Sequence, residues 1–270
     1  MRSNKYHITV IILMLILSCT TTRGQFLDAA SGLLQAPSAE MGESGTFMIT
    51  TNYLNSHSTP PAWGYDTFNY GLSIVFLPRV EIGYVATYIY KKDHPVINEN
   101  GELEMVVLNN QDRRIYGKVQ LLREGEFGIG WLPALAVGVH DPTTRDQNKR
   151  YDIDALDFDV RSGNGFFNRL FIVATKHFPT PVGVVGAHLG YQYNQRDDRR
   201  YNGLCTALDW KPVWLQKDRV ISTKLIAEYD ARTINVGFIA SIWRDHFDVM
   251  VDLMSLRWLS AGIRFKIVLE

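Results

Sequence analysis

The feature that most constrains this chain is an alternation of apolar and polar residues with period two, which recurs along almost the whole sequence after Gly45. In HFDVMVDLMS, at 246–255, a phenylalanine, two valines and a leucine alternate with two aspartates and a methionine. Strict alternation over several residues indicates a strand with one apolar face. The pattern therefore predicts an all-β protein.

Twelve stretches alternate in this way, and most of them have nine to twelve residues. They lie near 46–54, 67–77, 80–90, 113–123, 129–140, 168–178, 183–194, 201–211, 219–229, 233–243, 246–254 and 257–268. A strand that crosses a bilayer needs about nine to eleven residues. Tight connections alternate with long polar ones, at 91–112 and 141–167, as they do in outer-membrane barrels. We therefore expect an antiparallel up-and-down transmembrane β-barrel of about 12 strands over 45–270.

The two faces of the strands could meet solvent in two ways. A soluble barrel would place its apolar face inside, but twelve strands would then enclose a wide apolar interior. A membrane barrel places the apolar face against lipid and the polar face in the lumen, and closure satisfies every backbone group. The aromatic residues near strand ends fit either interfacial girdles or ordinary packing. They are Tyr53, Tyr90, Trp210 and Trp243.

The first 24 residues have the organisation of a secretory signal peptide. Arg2 and Lys5 precede an apolar run from Ile8 to Leu17, and small residues follow. Such a run is too short to span a bilayer as a helix. Cleavage before Gln25 is favoured, while a partial lipoprotein box at 16–19 would leave an acylated cysteine. Export through the inner membrane to the outer membrane is the expected route.

Composition narrows the classes of function that remain. The mature chain would carry 25 basic and 28 acidic residues, a net charge of −3, which provides no basic footprint for nucleic acid. Cleavage before Gln25 leaves Cys205 as the one cysteine, so no intramolecular disulfide is expected. The expected partners are outer-membrane lipids.

The segment before the first strand resembles a known family. Residues 32–47 are GLLQAPSAEMGESGTF, and FNYGLSIVFLPRVEIGY at 68–84, NQDRR at 110–114 and ATKHF at 174–178 add to the likeness. Together they resemble the YjbH family of outer-membrane proteins, in a short form with a single barrel. The resemblance implies a part in exopolysaccharide secretion or cell-surface polysaccharide assembly, with exopolysaccharide and periplasmic export proteins as further partners.

Residues 25–44 cannot form a transmembrane strand, because SAEMGES offers no lipid-facing side. Pro37 blocks a continuous helix, and Gly42 and Gly45 suit turns. We expect this segment to lie at the periplasmic mouth or to fold into the lumen as a partial plug; a mobile leader is the alternative. Its motif residues are Gly32, Leu33, Gln35, Pro37, Met41 and Gly45.

The polar faces of the strands supply candidates for the lumen lining. These are Glu81, Arg114, Lys118, Lys176, His188, Asp209, Lys224, Glu228, Asp230, Asp248, Asp252, Arg264 and Lys266. Acids and bases are mixed, so the set fits either a stiffening ion-pair network or a polar track for a hydrophilic polymer. Tyr116 or Trp258 could stack on sugars in such a track.

Catalytic and metal-binding patterns are weak in this sequence. His140, His177 and His188 lie on separate strands, and His177 shares a face with Val173, which suggests an outward packing role. We therefore predict no enzyme activity, no cofactor and no metal site. The expected function is non-catalytic polysaccharide secretion; a small-solute porin is the alternative, and an outer-membrane lipid-modifying enzyme is a third.

Overall fold

The alternating stretches form strands close to the positions that the sequence predicts. The computed structural model describes residues 29–59, 64–98, 100–142, 166–194, 202–217 and 221–269. The predicted signal peptide lies outside these described residues, as do 143–165 of the second long connection.

Thirteen strands follow one another along the described chain, interrupted by three single 3₁₀ turns. The first seven are β1 (Thr46–Leu54), β2 (Thr67–Phe76), β3 (Val80–Ile97), β4 (Leu103–Leu122), β5 (Ala134–His140), β6 (Arg169–Thr180) and β7 (Gly183–Tyr193). The others are β8 (Gly203–Pro212), β9 (Gln216–Lys217), β10 (Ile221–Tyr229), β11 (Ile234–Ile242), β12 (Phe247–Met254) and β13 (Trp258–Val268). The 3₁₀ turns are Ser56–Ser58, Glu126–Gly128 and Val213–Leu215.

The sheet closes on itself. Each strand pairs antiparallel with the next, except that β8 pairs with β10 and not with the short β9; β1 also pairs with β13, from Thr46 opposite Val268 to Tyr53 opposite Ala261. The two-residue β9 extends the edge of β8 along β10, so twelve strands surround the interior. The predicted fold class, an all-β antiparallel barrel of about twelve strands, is confirmed.

The two ends of the barrel differ. The connections 77–79, 181–182 and 243–246 are tight and lie at one end, called here the turn end, together with residues 45 and 269. At the opposite end, called here the loop end, β1 and β5 finish and β2 and β6 begin, and the intervals between these strands are longer in the sequence.

The polar face of each strand points inward. Along β12, Asp248, Met250 and Asp252 are buried, and the alternate residues are partly exposed. Charged side chains fill the interior, while large apolar side chains cover the outside, with Phe68 at 56% and Leu189 at 61% exposure. This inversion of a soluble protein is what a barrel immersed in hydrocarbon requires.

Exposed aromatic residues concentrate near both ends of the outer surface. At the turn end they include Phe76, Phe127, Trp131, Phe178, Trp214 and Trp243, and at the loop end Phe68, Tyr70, Tyr90, Tyr191, Tyr193 and Tyr229. Ile49, Leu72, Leu189 and Ile263 are among the exposed aliphatic residues between them. Within the described ranges, no helix is long and apolar enough to span a membrane.

The hairpin of β3 and β4 departs from the predicted organisation. The sequence predicts a long polar loop at 91–112, but the two strands stay paired as far as Ile97 opposite Leu103, with one irregularity between Lys91 and His94. An antiparallel pair can extend beyond the barrel rim because each strand satisfies the backbone of the other. The polar composition of this stretch is therefore compatible with strand structure.

Candidate functional site

The interior of the barrel holds the segment that precedes β1. Residues 29–45, called here the lumen segment, enter from the turn end and reach toward the loop end near Gln35. On the N-terminal side of the tip the segment runs back along the wall, where the Ala29 carbonyl accepts from Ser73 and Tyr116. Residues 29–39 are buried throughout. The innermost part, residues 33–36, is called here the tip, and residues 29–32 with 38–41 are called the neck.

The backbone of the tip surrounds one carboxylate of the barrel wall. The amide N–H groups of Leu34, Gln35 and Ala36 donate to the Glu228 carboxylate, at 3.2, 2.6 and 3.2 Å. Successive N–H groups that converge in this way form an anion-binding concavity. Pro37 has no N–H, so the row of donors stops there. The wall residue Glu228 thereby fixes the depth of the tip.

Gln35 is the most completely bonded side chain of the tip. Its amide Nε2 donates to Asp252 Oδ2, and its Oε1 accepts from Arg232 Nη2 at 2.6 Å. Its backbone carbonyl accepts from Arg169 Nη1 at 3.0 Å. Because Gln35 is fully buried, each of these bonds replaces one that water would otherwise make. The three partners come from β12, the β10–β11 turn and β6.

Apolar wall residues receive the two leucines of the tip. Leu33 and Leu34 are fully buried in one cluster with Ile226, Ile239 and Met250. Ile226 is the residue that interrupts the polar face of its strand in the sequence. These inward apolar side chains form a socket, and burying a leucine contributes about 1.5–3 kcal/mol.

Two lysines bridge the two limbs of the neck. Lys118 Nζ donates to the carbonyls of Ser31 and Glu40, both at 2.7 Å. Lys224 Nζ donates to the Gly32 carbonyl at 3.0 Å and to Glu40 Oε2 at 2.7 Å. Burial acts to raise the pKa of Glu40, but Lys224 and a hydrogen bond with His177 hold it well below its ordinary value. The neck is therefore polar and ionic.

Glycines permit the turns of the lumen segment. Gly32 has φ +145°, and a Cβ there would lie 2.9 Å from Ser38 Cβ, which shows how closely the two limbs of the neck approach. Gly45 has φ +85°, and its Cβ would collide with the Leu269 carbonyl next to β13. Met41 is partly buried at the turn-end mouth.

Other predicted lining residues pair with one another. Glu81 Oε2 lies 3.0 Å from Lys118 Nζ, and its Oε1 accepts from Tyr116 and from the Ser31 N–H. Asp248 pairs with Arg264 and, at 2.9 Å, with Lys266. The interior is thus filled by the lumen segment and by ion pairs.

The loop end carries a further cover. Phe166 and Phe167, from the long connection before β6, are buried in contact with the apolar cluster of the tip. The Arg114 guanidinium lies 3.8 Å from the centre of the Phe167 ring. The sequence analysis missed these two residues. The adjacent aromatics in a polar connection, GNGFFNR, are the signal that could have identified them.

The assignment of Lys176 and His177 to faces of β6 was wrong. Lys176 was expected in the lumen, but it lies on the outward face and contacts Glu124 Oε1 at 3.0 Å and the Gly130 carbonyl at 2.6 Å. His177 faces inward with Val173. The middle of β6 is apolar on both faces, so alternation does not assign them; a lysine near a strand end can lie outward and reach polar groups.

His177 and His188 come together although they lie on different strands. Thr175 of β6 pairs with His188 of β7, so His177 is the diagonal neighbour of His188. His188 Nε2 lies 2.7 Å from Asp209 Oδ2, and Thr175 Oγ1 lies 2.9 Å from His188 Nδ1. These buried groups adjoin a cavity of about 230 Å³ at the turn-end mouth, lined in part by Glu40, His177 and Thr175.

Comparison with known proteins supports the family resemblance. A family model described as "YjbH: Exopolysaccharide biosynthesis protein YbjH" matches residues 27–151. This match confirms the recognition of the YjbH family over that range, which contains the whole lumen segment and runs from β1 through β5. No curated protein matches the chain. The chain is therefore similar to this family over residues 27–151, and its fold is a closed β-barrel.

Proposed function

We propose that this protein is an outer-membrane barrel that takes part, without catalysis, in exopolysaccharide secretion or surface assembly. The lumen segment acts as a plug that closes the barrel at rest. The observation that carries the proposal is the seating of Gln35, whose side chain and backbone carbonyl bond to three separate parts of the wall. The apolar outer surface with its aromatic ends supports placement in a membrane.

The filled interior argues against a permanently open porin. Twelve strands leave limited space beside their own side chains, and the lumen segment occupies the centre of that space. A hydrophilic polymer could pass only after the segment had moved. With the segment displaced, the carboxylates and cations that now bond to it would line a polar track.

Planar-bilayer recording of the mature protein tests the plug. We expect the intact chain to be silent and a variant that lacks residues 25–44 to conduct. A matched variant with Leu103→Asp, on the exposed hairpin, should remain as silent as the intact chain. Steady conductance of the intact protein would favour the small-solute porin, and silence of both forms would place the function in the loops or on a partner surface.

A cellular assay tests the polysaccharide role separately. Deletion of the gene should reduce the polymer at the cell surface, and the intact chain should restore it. Unchanged polymer after deletion would contradict the export role even if the plug behaves as expected.

A further inference from the structure

We propose that His177, His188 and Asp209 of the wall, together with Glu40 of the lumen segment, form a binding site for a zinc-type divalent metal ion. The potential ligand atoms of the two histidines and the aspartate all lie within 4.8 Å of one another. Glu40 Oε1 lies 3.3 Å from His177 Nε2. Two ligands of one tetrahedral zinc ion are about 3.4 Å apart, given zinc–ligand distances of about 2.1 Å.

The far nitrogens of both imidazole rings are already oriented. His177 Nδ1 lies 2.7 Å from Glu124 Oε2, and His188 Nδ1 lies 2.9 Å from Thr175 Oγ1. Metal-binding histidines characteristically use one nitrogen for the metal and the other for such a partner. Each ring therefore presents Nε2 toward a carboxylate, Glu40 in one case and Asp209 in the other.

Asp209 and Glu40 each have a carboxylate oxygen that could bind a metal ion. Asp209 is buried, and its Oδ1 has no hydrogen-bond partner among the described residues. Lys224 holds Glu40 Oε2, which leaves Oε1 directed at His177. A divalent ion would add positive charge beside the carboxylates of Glu40, Asp209 and Glu124, of which Lys224 contacts Glu40 and Lys176 contacts Glu124.

The wall leaves room for the cluster. A Cβ at Gly186 would lie 2.1 Å from Asp209 Oδ2 and 3.1 Å from His177 Cδ2, so a side chain at this position would displace both ligands. The cavity at the turn-end mouth is lined by Glu40 and His177 and provides an entry path for an ion. Imidazole nitrogen favours zinc over magnesium or calcium.

One consequence is that the metal would tie the lumen segment to the wall, because Glu40 belongs to the segment and the other ligands belong to the strands. The proposal stands apart from the export role, since metal binding is measured without transport.

Isothermal titration calorimetry of the mature, EDTA-treated protein in detergent tests the site with Zn²⁺ as the probe. We expect one saturable equivalent, no comparable binding of Mg²⁺, and a loss of at least about tenfold in affinity for His188→Asn and for Asp209→Asn. His57→Gln, a histidine outside the cluster, is the matched control and should bind as the wild type does. Co²⁺ should give the visible absorption of a tetrahedral site.

If His188→Asn and Asp209→Asn do not fold, substitutions of the two less deeply buried ligands, His177 and Glu40, still test the proposal. His177→Gln and Glu40→Gln should each weaken Zn²⁺ binding, and Zn²⁺ should slow protease cleavage near Ala39 in the wild type but not in Glu40→Gln. The proposal is overturned if Zn²⁺ does not bind saturably, or if His177→Gln and Glu40→Gln both bind it with wild-type affinity.

Discussion

The tip and the neck of the lumen segment are held in the barrel by different kinds of interaction. The tip inserts Leu33 and Leu34 into an apolar socket and meets a ring of wall groups through Gln35 and the amides beside it. The neck buries only small apolar side chains, such as Ala39 against Phe171, and Lys118 and Lys224 hold it at both limbs. Apolar burial has no preferred direction, whereas hydrogen bonds and ion pairs do.

This difference indicates how the segment can be both stable and releasable. Burial of the two leucines in the socket stabilises the seated segment, and the polar contacts set the register of the chain within it. Ions or protons that compete for the lysine and glutamate contacts of the neck would loosen the neck and leave the apolar socket unchanged. Release of the whole segment requires the tip to leave.

The largest effect is expected from a charge placed in the socket. Leu34→Asp buries a carboxylate among Ile226, Ile239 and Met250, which costs more than about 3 kcal/mol unless the tip moves out. Limited proteolysis of the purified barrel should then cleave near Ala39 at least about a hundredfold faster than in the wild type.

Leu103→Asp is the matched control for this substitution, because Leu103 is 65% exposed on the extended hairpin. Its cleavage rate should equal that of the wild type. Equal protection in Leu34→Asp would mean that the socket contributes little to holding the segment.

Loss of one neck lysine should have a smaller effect. Lys224→Met removes donors to the Gly32 carbonyl and to Glu40, which costs about 1–3 kcal/mol. Cleavage should rise by about tenfold. Adding Glu40→Gln to Lys224→Met removes the carboxylate that Lys224 no longer balances and should recover part of the loss in a double-mutant cycle. Strict additivity of the two changes would show that the two groups do not interact.

A change of backbone freedom at the neck should cost somewhat less. Gly32→Ala forces a side chain onto φ +145° and toward Ser38, at about 1–2 kcal/mol. Gly117→Ala is the control, since its Cβ would have no neighbour within 4 Å and its φ lies outside the left-handed region. If both variants are cleaved at the wild-type rate, the limbs of the neck do not pack as described.

The smallest effect is expected from low pH, through protonation of Asp230 close to the tip. Burial acts to raise the pKa of Asp230, but the Arg232 guanidinium and nearby N–H groups lower it below its ordinary value of 3.8. Its stabilising contribution is therefore complete above that ordinary value and is lost as the pH falls through the lower folded-state pKa. Because Arg232 also donates to Gln35, acid should loosen the tip slightly.

A spin label on Ser44→Cys would report this loosening as increased mobility as the pH falls below about 3.8. Asp230→Asn should reduce the acid-dependent increment. An identical increment in that variant would assign the effect to other acids.

The strands were predictable from sequence because alternation is local, and each strand has its own apolar face. The packing inside the lumen was harder to predict from sequence, since it depends on contacts between residues that are far apart in the chain. Ile226 was visible as an exception, but its partners Leu33 and Leu34 lie almost 200 positions earlier. On β6, alternation failed for Lys176 and His177 because both faces of the strand centre are apolar. The pairing of β6 with β7, which joins His177 to His188, is equally long-range information.

The position of the lumen segment before β1 also constrains how the protein is assembled. Gln35 and its partner Asp252 are separated by 217 positions, and β1 meets its second neighbour only when β13 is present. Contacts of such high sequence separation form late, because a long loop must close first. The lumen segment, which is synthesised before every strand of the barrel, therefore finds its place last, at the step that also joins the two ends of the sheet.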